Sequence, residues 1–348
     1  MRLLVVRFSA MGDVALLLPV LVSVLRRHPD VQIDVLTRPK LASLFEGIER
    51  LRPVPADVDG EYKGIGGLWR LGKHLQIKQY DYFIDAHQNL RSNVLKAIAY
   101  LQGVRCLSIS KNRKLRKRFI RERAAFALPH VTDMYATPFR QLGLDTDLLP
   151  PPYLIPSAED EQAIDNFLAS MALLPKSSPW IGIAPFAFHE NKQWGVHKVE
   201  ALLRLIKERH PEWHVFLFGG GKKEAALMDA LCALHPGRAI NMAGCLSLRR
   251  EWLLMHRLDA MLSMDSANMH LAALAGIPVV SVWGATHPHA GFAPLFQLAE
   301  NMIQRDDLDC RPCSIFGSNP CVRGDKACME RIEAAQVMAR LEKVVLSV

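Results

Sequence analysis

A chain of 348 residues that is half apolar and 22% charged, with a net charge of +8, has the composition of a globular protein of about two domains, not of a disordered or disulfide-stapled one. The positive excess favours anionic partners without choosing among phosphorylated small molecules, acidic lipid and nucleic acid. Seven cysteines, an odd number with Cys106, Cys232 and Cys245 scattered, imply a reducing compartment, and no apolar run reaches the roughly 18 residues of a membrane span.

The first segment, RLLVVRFSAMGDVALLLPVLVSVLRRHP, has the outline of an export signal, but Arg7 breaks its first apolar block and Gly12-Asp13 separate that block from the second. LLVVRF is short and β-branched, as a buried strand is. VALLLPVLVSVLRRHP has helix length and ends in two arginines, which suit the negative end of a helix. VQIDVLTRP reads as a second strand, so the whole predicts a βαβ unit in a cytoplasmic chain rather than a leader. The rhythm continues with a strand in YDYFIDAHQ, a helix in LRSNVLKAIAYLQG and a strand in VRCLSIS.

Residues 111–123, KNRKLRKRFIRER, carry eight Lys or Arg. Such a run is a solvated helix face or a surface for anionic lipid heads, RNA or a phosphorylated acceptor. It lacks the aromatic-rich motifs of an RNA-recognition fold. At 144–162, LDTDLLPPPYLIPSAEDEQ, prolines cluster and periodicity lapses.

The alternation then restarts: strands in WIGIAPF, WHVFLFGGG, LDAMLSMD and IPVVSVWG, with helices in VHKVEALLRLIKERHP, KKEAALMDALCALHP and SANMHLAALAG. This predicts an α/β protein of two Rossmann-like domains, residues 1–155 and 156–330, followed by a C-terminal helix in 331–348 that packs back on the first domain.

In open parallel sheets, ligands bind beyond the C-terminal ends of the strands. After the first strand stands Asp13, either a helix N-cap or a carboxylate able to act as general base. After WIGIAPF comes Lys192, a surface lysine or a mobile charge for a phosphate. Gly219, Gly220 and Gly221 follow a strand without matching a dinucleotide or P-loop pattern. Glu224 behind them suits ribose hydroxyls or a helix start. Asp265 and Ser266 open a helix whose N-terminus favours an anion, with His270 one turn inside and Gly276 as its C-cap. Cys310, Cys313, Cys321 and Cys328 form C-x2-C-x7-C-x6-C, a weak zinc candidate because only the first pair has ligand-like spacing.

Taken together, RFSAMGDV with Pro19, DYFIDAHQNLRS, KQW, DSANMHLAALAGIPVVSVWGATHP and the cysteine tail followed by RIEAAQVMARLEKV resemble glycosyltransferase family 9, the lipopolysaccharide heptosyltransferases. The pieces run nearly end to end, and their order makes the match specific. The resemblance implies a GT-B fold with the active site between its two domains, and inverting transfer of a heptose from ADP-heptose to an inner-core acceptor. It makes Asp13 the catalytic base and assigns the nucleotide sugar to Lys192, Glu224, Asp265, Ser266, Ala267 and His270. Ala267 departs from the family's glycine, and its methyl puts the exact donor in question.

No cofactor or metal is expected: no D-x-D motif stands at a strand end, and Asp307-Leu308-Asp309 lies in the late tail. Arg91 and the basic run, with Arg113 and Arg116, are the expected contacts to an anionic lipid-linked oligosaccharide at the cytoplasmic face of the inner membrane, and no nucleic acid is expected. A GT-B transferase of another nucleotide sugar and a non-catalytic basic nucleotide- or RNA-binding protein are the competing readings.

Overall fold

The computed structural model describes residues 1–347. One sheet is built from β1 (Arg2–Val6), β2 (Gln32–Thr37), β3 (Leu51–Pro55), β4 (Tyr82–Asp85) and β5 (Arg105–Ser108), in the order β3-β2-β1-β4-β5. The other is built from β6 (Trp180–Ala184), β7 (His214–Leu217), β8 (Ala239–Asn241), β9 (Ala260–Met264), β10 (Val279–Trp283) and β11 (Met302–Gln304), in the order β11-β10-β9-β6-β7-β8. All neighbouring strands are parallel. Their central strands are apolar without alternation because helices cover both faces, and Leu3 to Val6 are fully buried.

Each sheet winds outward from one central strand and then reverses. The reversals fall between β1 and β4 and between β6 and β9, the points at which a ligand crevice opens in such folds. Val6 lies opposite Asp85, and Ala184 opposite Ser263, so the loops leaving each pair start side by side.

Helix Met11–Arg27 is buried continuously from Val14 to Leu25, which accounts for the signal-like apolarity of its sequence. The proline-rich stretch is less irregular than expected. Helix Ala158–Ser170 begins inside it, fixed by a reciprocal capping box between Ser157 and Asp160. The short strands β3, β8 and β11 and the helices Gly64–His74 and Leu248–Met255 were not foreseen. β3 reads LRPVP, and its two prolines hide a strand that hydrogen-bonds along only one edge.

The chain divides into two compact units, Met1–Lys111 with Val131–Ile155, and Asn112–His130 with the residues from Pro156 onward. Residues 112–130 therefore group with the second unit although they precede the linker. Helix Arg113–Arg121 buries Phe119 with Leu128 and Ala290, and Phe126, Phe292 and Ile315 pack against them. The Leu128 N–H donates to the His289 carbonyl at 2.8 Å. The last helix, Ala334–Leu346, also uses its apolar face within the second unit, against helix Val196–Arg209 and strands β9 and β10. Val337, Met338 and Leu341 are fully buried there. Both placements differ from the domain organisation expected from sequence. Among the described residues no helix is long and apolar enough to cross a membrane.

Phe119 is the anchor of the basic segment. Phe119→Ala should cost about 3–5 kcal/mol, and hydrogen exchange should show protection lost over residues 112–130 while helix Met11–Arg27 keeps its own.

Candidate active site

In the first unit, the residue capping helix Met11–Arg27 is Ala10, which makes no side-chain cap bond. Asp13 sits inside the first turn and does not cap, so that reading of the residue is corrected. Its Oδ2 meets Arg7 Nη2 at 2.9 Å, and its Oδ1 accepts from the Tyr135 hydroxyl at 2.7 Å. The Arg7 guanidinium lies over the Tyr135 ring, 5.0 Å from its centre, and also donates to the Ala86 carbonyl. Arg7 is buried, whereas the Asp13 side chain keeps 24% of its surface exposed. A carboxylate has about four acceptor positions, so each oxygen of Asp13 retains one after these contacts.

Beside it, the loop leaving β4 folds around Asp85, whose Oδ1 accepts the N–H groups of His87 at 2.9 Å and Gln88 at 2.7 Å. His87 Nδ1 accepts from the Phe8 N–H at 3.3 Å, while Ser9 Oγ and the Asn89 amide each lie 3.4 Å from Nε2. Burial, together with Arg7 and Lys111, pushes the imidazole down to about 4, so it is neutral near pH 7. Arg91 is engaged by Asp59 at 2.6 Å, and the same carboxylate holds Arg38 at 2.8 Å.

In the second unit, the chain leaving β6 makes a short turn, Glu190–Lys192, that delivers Lys192 to the carboxylate leaving β9. Lys192 Nζ lies 2.9 Å from Asp265 Oδ2, and the Thr286 hydroxyl donates to the same oxygen at 2.7 Å. Asp265 and Thr286 are buried. Ser266 caps helix Ala267–Leu274 by position but makes no side-chain cap bond; its Oγ lies 3.1 Å from Ser263 Oγ instead. The first-turn N–H groups therefore stay open to an anion.

Ala267 is the first helical residue, and His270 is buried one turn further in. Glu224 Oε2 accepts the Gly220 N–H at 2.8 Å, which ties it to the glycine loop after β7. The structure thus joins Lys192 directly to Asp265 and sets Ser266 beside that pair, with Glu224 at the end of the neighbouring strand. Gly276 takes the left-handed conformation with φ 82° just after the helix, next to the C-cap residue Ala275.

The basic helix contributes differently from expectation. Arg113 is exposed, but Arg116 is stacked over the rings of Phe292 and Phe316, 5.9 and 5.6 Å from their centres. All seven cysteines are reduced, and burial raises the Cys328 thiol to about 11. Among the described residues no three metal-ligating side chains gather, the tail cysteines included.

Tyr135 and Thr286 escaped sequence reasoning because nothing local marks them. Tyr135 is 122 residues from its partner. Arg7 did carry a signal, as the one charge inside the first apolar block.

A family model described as glycosyltransferase family 9 (heptosyltransferase) matches residues 68–315. The chain is 23% identical over 287 residues to the lipopolysaccharide core heptosyltransferase OpsX of Haemophilus influenzae, covering 82% of this chain and 80% of the relative. The solved structure of Escherichia coli ADP-heptose LPS heptosyltransferase II superposes with a TM-score of 0.72 at 19% identity, over 100% of this chain and 99% of the other. A family 9 glycosyltransferase from Veillonella parvula gives 0.78 at 19% identity, over 100% and 98%. The two parallel sheets and these likenesses give the fold as GT-B.

The depressed histidines set an acid limit on stability. His287, like His87, is pushed down to about 4, in its case by burial, His289 and Arg311. An unfolded histidine titrates near 6.5, so the unfolded chain takes up protons first as pH falls. The contribution is complete above about pH 6.5 and is lost progressively toward pH 4, by up to about 1.4 kcal/mol per pH unit for each group. Thermal melts between about pH 7 and 4.5 should therefore fall less steeply for His87→Asn than for the unaltered protein.

Proposed function

The chain belongs to glycosyltransferase family 9, the heptosyltransferases, and on that premise we propose that it moves a heptose from ADP-heptose to a lipopolysaccharide inner-core acceptor, with inversion at the anomeric carbon and Asp13 as general base. The observation that carries this reading is the setting of Asp13. It leaves the cap position empty, is oriented by Arg7 and Tyr135, and stays accessible at the sheet's reversal point.

The chemistry asks little covalent work of the protein. The acceptor oxygen attacks the anomeric carbon from the face opposite the leaving group, and the bond from that carbon to the phosphate oxygen breaks. The acceptor proton passes to Asp13, and ADP departs. A single displacement inverts the centre and needs neither a covalent intermediate nor a cofactor. The leaving diphosphate gathers charge, and Lys192 with the open N-terminus of helix Ala267–Leu274 is suited to hold it. Glu224 and Ser266 are assigned to the nucleoside and its phosphates, and His270 to support from behind.

Arg91 and Arg113 are the candidate contacts to acidic groups of the acceptor. Arg116, stacked on two rings, is the third candidate. The exposed charges of helix Arg113–Arg121 would also favour the anionic headgroups of the inner membrane's cytoplasmic face.

Nucleotide-dependent melting and product analysis test the proposal. ADP should stabilise the protein more than UDP or GDP. Asp13→Ala should lower transfer by about two to four orders of magnitude while keeping the ADP shift. Transfer that survives this substitution removes the base assignment, and stabilisation by UDP or GDP instead changes the donor. Tight RNA binding without any nucleotide effect would favour a basic nucleic-acid-binding protein.

A further inference from the structure

The cysteine-bearing tail, residues 310–319, lies against both partners of Asp265. Arg311 is 4% exposed, and among the described residues no carboxylate lies within ion-pair distance of it. Its donors go to neutral oxygens: the carbonyls of Gly284 at 2.6 Å, Arg305 at 2.6 Å, Trp283 at 3.2 Å and Thr286 at 2.9 Å, and the side chain of Gln304 at 3.2 Å. Three of these carbonyls belong to the chain leaving β10, which ends at the residue whose hydroxyl holds Asp265. The Cys313 N–H adds a bond to the Ala285 carbonyl at 2.8 Å.

The same tail reaches the Lys192 turn. Asn191 Nδ2 donates to the Asn319 carbonyl at 2.7 Å. Gly317, at φ +76°, faces the lysine stem so closely that a Cβ there would stand 2.5 Å from Lys192 Cγ and 2.7 Å from Cδ. These are mid-chain methylenes, not a free tip. A side chain at 317 must displace the ammonium from its place beside Asp265.

We infer that residues 311–319 are a positioning element for the donor's diphosphate, acting through two contacts: Arg311 sets the Thr286 loop, and Gly317 leaves the space in which the Lys192 stem lies. A buried guanidinium is costly to desolvate, and here its planar fork ties the chain leaving β10 to the chain leaving β11 at several points that an ammonium cannot span. Gly317 and Arg311 touch no substrate in this scheme; they act through Lys192 and Asp265.

The inference rests on Lys192 as a donor-site residue, and titration calorimetry with ADP separates the two. Lys192→Ala should weaken ADP binding by about tenfold, the loss expected for one charge-assisted contact. Gly317→Ala should weaken it to a similar degree and raise the donor KM, leaving the acceptor KM unchanged. In the Lys192→Ala background, Gly317→Ala should add less than about twofold, because its effect passes through the missing side chain. Arg311→Lys should reproduce the loss of ADP affinity.

If Lys192→Ala binds ADP normally, the donor-site reading itself fails. If Lys192→Ala is impaired but Gly317→Ala binds like the unaltered protein, the positioning inference fails. It fails equally if the two losses multiply in the double variant, which marks a general structural role. Should Arg311→Lys not fold, the Gly317 cycle still decides.

Discussion

A carboxylate at the buried end of a parallel strand must find positive charge and a hydrogen-bond donor close by, because leaving it ionised and alone would cost several kcal/mol. Asp265 meets this constraint with one oxygen, to which Lys192 comes from the end of β6 and Thr286 from beyond β10. Three neighbouring strand ends thus converge on a single atom, and the parallel register of β6, β9 and β10 makes that convergence possible. The consequence for binding is direct. On the proposed reading, an ammonium already held at the sheet's reversal point, next to a helix with open N–H groups, is organised for an anion before one arrives.

The first unit solves the opposite problem at the equivalent place. Arg7 leaves β1 into a buried setting, and there a cation needs an anion. Asp13 supplies it from the first turn of the next helix, while Tyr135 receives the face of the guanidinium. The capping oxygen that a serine or aspartate would provide at position 10 is absent, so the Asp13 carboxylate is free of the duty that most often explains an aspartate there. Its remaining acceptor positions and its partial exposure are what a base requires.

Much of this was legible in the sequence, for identifiable reasons. Buried parallel strands are short apolar runs, and the helices between them carry their own start and stop signals, so the two doubly wound halves emerged from pattern alone. Asp13, Lys192 and Asp265 were singled out because strand ends are where such folds bind ligands, and the structure pairs the last two. What stayed hidden was non-local. Tyr135 and Thr286 matter only through partners far along the chain. The basic run looked like part of the half it follows, yet Phe119 and Leu128 bury themselves in the other. Arg116, expected as a contact to the acceptor, is stacked on two rings. Composition registers charge but not the surface that claims it.

Glycine usage makes the same point about site and scaffold. Alanine stands at 267, where the resemblance read from the sequence implies glycine. The residue is helical and is not among those with positive φ, so its backbone has no need of glycine, and only the methyl's bulk toward a ligand is at stake. Gly317 is the contrasting case. Its left-handed backbone disfavours a side chain, and the Lys192 stem stands where a Cβ would be. On the proposed reading, the constraint on donor geometry falls less on the helix-opening motif than on a tail loop whose cysteines first attracted attention as a metal candidate. On the same reading, the tail acts through the space Gly317 leaves for the Lys192 stem and through the hydrogen bonds of Arg311.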